Sequence, residues 1–168
     1  LAALTQVEQN ARGLELALTG INPLSGGYCV VLGAANRAVQ GVPLDELAQD
    51  CDRGLKFLRK SRQPKSEAML RCGIIQPMRA LRGETLSLSS FDTDDFCSSE
   101  LFPDDAPPSI PLAFHVCAML RHAYLFGDAE SWQHSADRAA IVGMCLPDSP
   151  TWVETEFYVA LGRLRADF

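Results

Sequence analysis

The sequence predicts an all-α domain in which antiparallel helical hairpins stack as an irregular, repeat-like solenoid or bundle. Three observations carry that expectation. Apolar residues recur at three- and four-residue steps along most of the 168 positions, the spacing of one helix face. Alternation of strand type is confined to Leu86, Ser87 and Leu88, too short to form a sheet. Glycine, proline, serine and aspartate fall between the periodic segments, where helices stop and start. The length suits a single domain, and 47% hydrophobic residues suffice for a core without disulfide or metal staples.

Taken in order, Leu4, Val7, Ala11, Leu14 and Leu18 mark a first helix over about 3–18. Stop and start signals at 20–25 precede a second, carrying Tyr28, Val31, Leu32, Ala35 and Ala38; it is apolar nearly all round and is expected to be buried. Gly41 ends it and Pro43 opens a third, with Leu44, Leu47, Cys51, Leu55 and Leu58 on one stripe. Asp45 and Glu46 in its first turn and Lys56, Arg59 and Lys60 in its last complement the helix dipole. A fourth starts near Pro64 with Leu70, Ile74, Met78 and Leu81, and Pro77 inside it predicts a kink, because proline lacks the amide hydrogen and crowds the carbonyl of Gly73.

Residues 83–108 form a polar insertion rich in Ser, Asp and Pro, anchored by Phe91, Phe96, Leu101 and Phe102, with one short helix near 94–101. Ser109 caps a fifth long helix with Leu112, Val116, Met119 and Ala123 inward. Gly127 and Asp128 make a turn and a cap, and the next helix carries a stripe of Trp132, Ala136, Ala139, Ala140 and Gly143. Pro147 ends it. Ser149, Pro150 and a capping box from Thr151 to Glu154 open the last helix, with Val153, Phe157, Ala160, Leu161 and Leu164 expected to face inward. Interior positions on this reading include Tyr28, Leu32, Leu47, Leu55, Ile74, Leu120, Phe126, Trp132 and Phe157.

Charge and composition exclude several classes. Fifteen basic against 21 acidic residues leave a formal charge of −6, the wrong sign for a domain that neutralises nucleic-acid phosphates. No apolar run approaches the ~20 residues of a membrane span. The opening Leu1-Ala2-Ala3-Leu4 lacks an initiator methionine and a basic stretch, so it is expected to be cut from a longer chain rather than to be a signal peptide. Cys29, Cys51, Cys72, Cys97, Cys117 and Cys145 are dispersed among apolar neighbours with no CxxC pair, which fits buried free thiols and a cytoplasmic setting.

Chemistry-bearing patterns are sparse. No GxxxxGK[ST] loop is present, and Gly26, Gly27 and Gly33 do not follow a strand. His115 and His122 lie seven apart, and Cys117 is about 200° round the helix from His115, a poor arrangement for metal even with Cys145 added. A Cys/His hydrolase drawing on Cys117 or Cys145 with His122 or His134 lacks every local signature, and serines 87, 89, 90, 98 and 99 stand in no nucleophile elbow. Asp92, Asp94, Asp95, Glu100, Asp104 and Asp105 lack the order of a calcium loop.

Two stretches share a plan. Around Gly41 and Gly127, 86 residues apart, a buried helix ends in a glycine turn and an acid-rich helix start follows. Each reads as a helical hairpin, and the match to the ~34-residue tetratricopeptide unit is partial. The run Gly41-Val42-Pro43-Leu44-Asp45-Glu46-Leu47, the basic helix end at Lys56 to Lys60, the Ser/Asp-rich insertion, His122-Ala123-Tyr124-Leu125-Phe126-Gly127-Asp128 and the closing Thr155-Glu156-Phe157-Tyr158-Val159-Ala160-Leu161 together resemble a helical region of one kind. It resembles the tetratricopeptide-like middle segment of large bacterial signalling proteins that join a serine/threonine kinase-like domain, an AAA-type ATPase and a sensor histidine kinase. The resemblance implies a module of a two-component signalling chain that holds no catalytic residue and no cofactor of its own.

Charge distribution supplies the candidate surface. Nine of the fifteen basic residues lie from Arg53 to Arg82, and Arg53, Lys56, Arg59, Lys60, Arg62 and Lys65 open that run. They are expected to form a basic surface that the acidic insertion covers or that a neighbouring domain or partner protein uses. The function expected is a non-catalytic protein-interaction and signal-relay module. The alternative is a small-molecule sensor with a pocket between helices near Pro77, Tyr124 and Trp132.

Overall fold

A computed structural model describes residues 22–147 and 149–165, with Arg12 and Glu15 as single positions before them. The stripe over 3–18 lies outside the described residues. Every regular element among the described residues is helical, and the only extended pairing is an isolated bridge between Thr93 and Phe96. The chain is all-α. It divides into two compact units, with the boundary between Ile75 and Gln76.

The first unit contains α1 (Pro23–Val39), α2 (Leu44–Lys60), α3 (Pro64–Leu70) and a π-helical turn, Arg71–Ile75. Asn22 caps α1 by accepting the Ser25 amide at 3.2 Å, and Pro23 sits where a missing amide hydrogen costs nothing. All three helices pack on one another. Close approach is bought at two glycines: a Cβ on Gly54 would lie 2.6 Å from Val30 Cγ1, and one on Gly27 would lie 1.9 Å from Gln63 Oε1. The core holds Val31, Leu47, Cys51, Leu58, Leu70 and Cys72. The break expected at Pro77 takes the form of the π turn just ahead of it, a wider winding that interrupts the i→i−4 ladder.

Helix α1 corrects the expectation of all-round burial. Gly26, Gly27, Val30, Val31 and Ala34 face the core, whereas Leu24, Tyr28, Leu32 and Val39 are exposed. Small residues face inward because α2 and α3 come close, and bulkier ones are left outside. Leu47 and Ile74 are buried as expected, and Leu55 is half-buried.

The second unit contains α4 (Gln76–Leu81), α5 (Ser98–Leu101), α6 (Ile110–Phe126), α7 (Ala129–Val142), a 3₁₀ turn (Gly143–Cys145) and α8 (Pro150–Leu164). Helix α6 is the axis, packing against α4, α7 and α8, and every residue from Leu112 to Ala118 is buried. Ser109 caps it at the Leu112 amide, and Gly127 ends it with φ of 71°. Asp128 then caps α7 at the Ser131 amide, 3.0 Å away. Gly41, just after the first helix of the first unit's hairpin, has the same φ of 71°, and both hairpins open with a 17-residue helix that has proline in its first turn.

The last two helices also depart from expectation. Trp132, Ser135, Ala139 and Val142 are the buried side of α7, and Ala140 is exposed. The cap of α8 is Ser149, accepting the Trp152 amide at 3.1 Å, so the box from Thr151 to Glu154 does not form; Glu154 instead pairs with Arg121 at 2.7 Å. The inward face of α8 is Thr155, Val159 and Gly162, while Val153, Phe157, Ala160 and Leu164 point to solvent. Phe126, also expected inside, is 45% exposed, and Leu81 and Leu101 are exposed as well. Leu120 and Trp132 are buried as expected.

Candidate functional site

The six candidate cations of the first unit fall on the end of α2, the turn after it and the start of α3. Arg53, Lys56, Arg59, Lys60, Arg62 and Lys65 are all exposed. Two are engaged: Arg53 with Asp50, and Arg59 with Glu67 at 2.9 Å. Lys56, Lys60, Arg62 and Lys65 have no ion-pair partner among the described residues. Four uncompensated cations therefore lie within ten residues of one another on a single helical corner.

That corner is held from beneath. The Ser61 hydroxyl donates to the Phe57 carbonyl at 2.7 Å, and the Gln63 amide hydrogen reaches the Leu58 carbonyl at 3.0 Å, closing α2. Gln63, only 9% exposed, turns its side chain in and donates to the Pro23 carbonyl and to Ser61 Oγ. The missing side chain at Gly27 makes room for it. Arg62, between the inward Ser61 and Gln63 groups, adopts φ of 53°, a left-handed conformation that costs a non-glycine residue about 1 kcal/mol. That left-handed residue follows the C-cap Ser61 and lets the Gln63 amide reach back to the Leu58 carbonyl, ending α2.

The acidic insertion is engaged within its own unit. Arg79 pairs with Asp95 at 2.9 Å, and Asp95 also accepts from Thr93. Hydrogen bonding to Arg79 holds the Asp95 carboxyl below its ordinary range. Asp92 caps α5 at the Ser98 amide, 2.7 Å away. The insertion is pegged to α6 by Phe91, 1% exposed, whose ring meets His115 and His122 edge-on at 5.9 and 5.1 Å. Phe102 lies 5.2 Å from the His115 ring, and His122 Nε2 bonds the Leu88 carbonyl. His115 Nδ1 is buried without a partner, and burial first, then Arg138 and His134, push its pKa down to about 4 against the opposing pull of Asp92. Sequence spacing put the two histidines on one helix and named Phe91 as an anchor of the insertion, but nothing local announced that they meet.

Of the residues proposed for a ligand pocket, Tyr124 and Trp132 share Tyr158 and Arg165 as neighbours. Pro77 is buried in α4, and Tyr124 packs its ring on Tyr158 at 5.7 Å beneath the Arg165 guanidinium. Trp132 lines an open groove of about 260 Å³ together with Gln133, Ala136, Asp137, Gly162, Arg163 and Arg165. The Trp132 ring lies on Gly162 and donates to the Tyr158 carbonyl at 3.2 Å.

The six cysteines are free thiols. Burial pushes Cys51, Cys72 and Cys117 up to about 12, with nearby acids adding to the effect at Cys51 and Cys117. Cys117 donates to the Thr151 carbonyl at 3.5 Å and has no histidine as partner. Among the described residues no three His, Cys, Asp or Glu side chains gather as metal ligands, and no helix is long and apolar enough to cross a membrane.

No family model, curated protein or solved structure matches this chain.

Proposed function

We propose that the chain is a non-catalytic protein-interaction and relay module that docks acidic segments of neighbouring domains or a partner protein on the basic corner of α2 and α3. The observation that carries this reading is the set of four exposed, unpaired cations on a corner fixed by Gln63 and Gly27. A fixed cluster of one sign steers an oppositely charged partner and favours one orientation of approach. Burial that pushes the Cys117 thiol up to about 12 disfavours that residue as the nucleophile of a Cys/His pair, because only a thiolate is a competent nucleophile. Two hairpins built to one plan support a repeat-like, tetratricopeptide-like arrangement, and with it the setting of a cytoplasmic multidomain kinase and ATPase signalling protein.

The test is fluorescence anisotropy with a labelled Asp/Glu-rich peptide and a Lys-rich control. The acidic peptide is expected to bind in a salt-sensitive manner, and the triple variant Lys56→Glu/Arg59→Glu/Lys60→Glu to lose at least about tenfold in affinity. Equal binding of both peptides, or unchanged affinity in the variant, refutes the reading. The groove beside Trp132 favours a second reading, a small-molecule sensor; native mass spectrometry of the purified chain separates the two, since a sensor retains a bound metabolite.

A further inference from the structure

Helix α8 presents its most apolar stripe to solvent. Val153 is 65%, Phe157 55% and Leu164 82% exposed, and Ala160 is exposed between them. The steps of four, three and four residues are those of heptad positions d, a, d and a, the seam by which one helix pairs with another. The opposite face, with Thr155, Val159 and Gly162, is the one that packs within the unit. Phe157 is already held, its ring edge-on to Tyr158 at 5.3 Å, so an aromatic anchor stands pre-ordered on the surface.

From this stripe and the charges beside it we infer that α8 is a self-association surface, pairing antiparallel with α8 of a second copy of this chain. The side-chain sizes select the direction. In an antiparallel pair centred between Tyr158 and Val159, Phe157 faces Ala160 of the second copy and Val153 faces Leu164, large against small in each central layer. A parallel pair sets phenylalanine on phenylalanine and alanine on alanine, overpacking one layer and leaving a void in the next.

The charges select the partner. Glu156 and Arg163 are both exposed, stand at equivalent g positions, and take part in no ion pair among the described residues. They are seven residues apart, about 10 Å along the axis, too far to pair within one helix. Antiparallel pairing brings g against g, so Glu156 of each copy meets Arg163 of the other and twofold symmetry makes the bridge twice. Parallel pairing sets Glu156 against Leu161. Glu154 on the other flank is already held by Arg121 at 2.7 Å and brings no unpaired charge to the seam. The surface uses none of the residues of the basic corner, so it stands or falls separately from acidic-peptide binding.

The test is sedimentation equilibrium of the 168-residue chain across micromolar to millimolar concentration, with circular dichroism to verify folding of each variant. A monomer–dimer equilibrium is expected. Phe157→Lys should weaken it by at least about tenfold, and Glu156→Arg or Arg163→Glu alone should each weaken it several-fold. Mixing the two single-charge variants in equal amounts restores association, because each then supplies the other's missing opposite charge. A chain that stays monomeric throughout, or a dimer indifferent to Phe157→Lys and to the charge exchange, overturns the inference.

Discussion

Replacing His115 by leucine should flatten the acid limb of the stability profile. The imidazole is 8% exposed, lies between Phe91 and Phe102, and has an unpartnered Nδ1. Its pKa falls from 6.5 to about 4, chiefly through burial. A neutral imidazole is therefore what the folded chain accommodates. Between the two values the unfolded chain binds a proton that the folded one refuses, so stability rises with pH across that interval. The contribution is whole above pH 6.5, begins to fall as pH drops through 6.5, and is fully lost near pH 4. At 1.36 kcal/mol per pH unit, the interval is worth roughly 3 kcal/mol. Leucine keeps the apolar contacts with Phe91 and Phe102 and removes a polar nitrogen that had no partner, so stability near pH 7.5 should change by about 1 kcal/mol or less. Urea unfolding at half-unit steps from pH 7.5 to 4 gives the two curves. Titrating groups common to both proteins, Asp95 among them, cancel in the difference. Curves that run parallel over pH 6.5 to 4 refute the account of His115 as a buried neutral group.

Three further outcomes follow from close contacts and thiol burial. A methyl group at Gly162 would stand 2.1 Å from Trp132 Cε2, so Gly162→Ala should cost about 1–3 kcal/mol in urea unfolding and shift tryptophan emission. Gly27→Ala displaces the Gln63 amide from the Pro23 carbonyl; a loss of about 1–2 kcal/mol and weaker acidic-peptide binding are expected, and calorimetry with anisotropy checks both. In a timed alkylation at pH 8 followed by mass spectrometry, Cys51, Cys72 and Cys117 should be labelled last, and rapid labelling of any of them in the folded chain contradicts their burial.

Element boundaries were largely legible because their causes are local. Asn22, Ser109, Asp128 and Ser149 each accept an amide hydrogen three residues on, and Gly41 and Gly127 end helices in a conformation that a Cβ resists. Facing was less legible. In α1 and α8 the larger apolar side chains lie outside and smaller residues lie within, because close helix approach requires little volume at the contact, a property of the neighbouring helix that periodicity does not encode. The basic corner was visible as a run of cations. Its clamp was not, since Gln63 and Pro23 meet across 40 positions. The same holds for Phe91, whose two imidazole neighbours lie on a helix that starts 19 residues later.

The seating of Trp132 on Gly162 constrains the order in which the two positions can change over evolutionary time. Any side chain arriving first at Gly162 collides with the indole, so a lineage taking that step must tolerate the collision before it can relieve it. A smaller ring arriving first at Trp132 leaves a gap instead, which a later alanine at Gly162 can fill. One route passes through strain and the other through a void. Descendants of this chain should therefore have shed the indole before they gained a side chain opposite it.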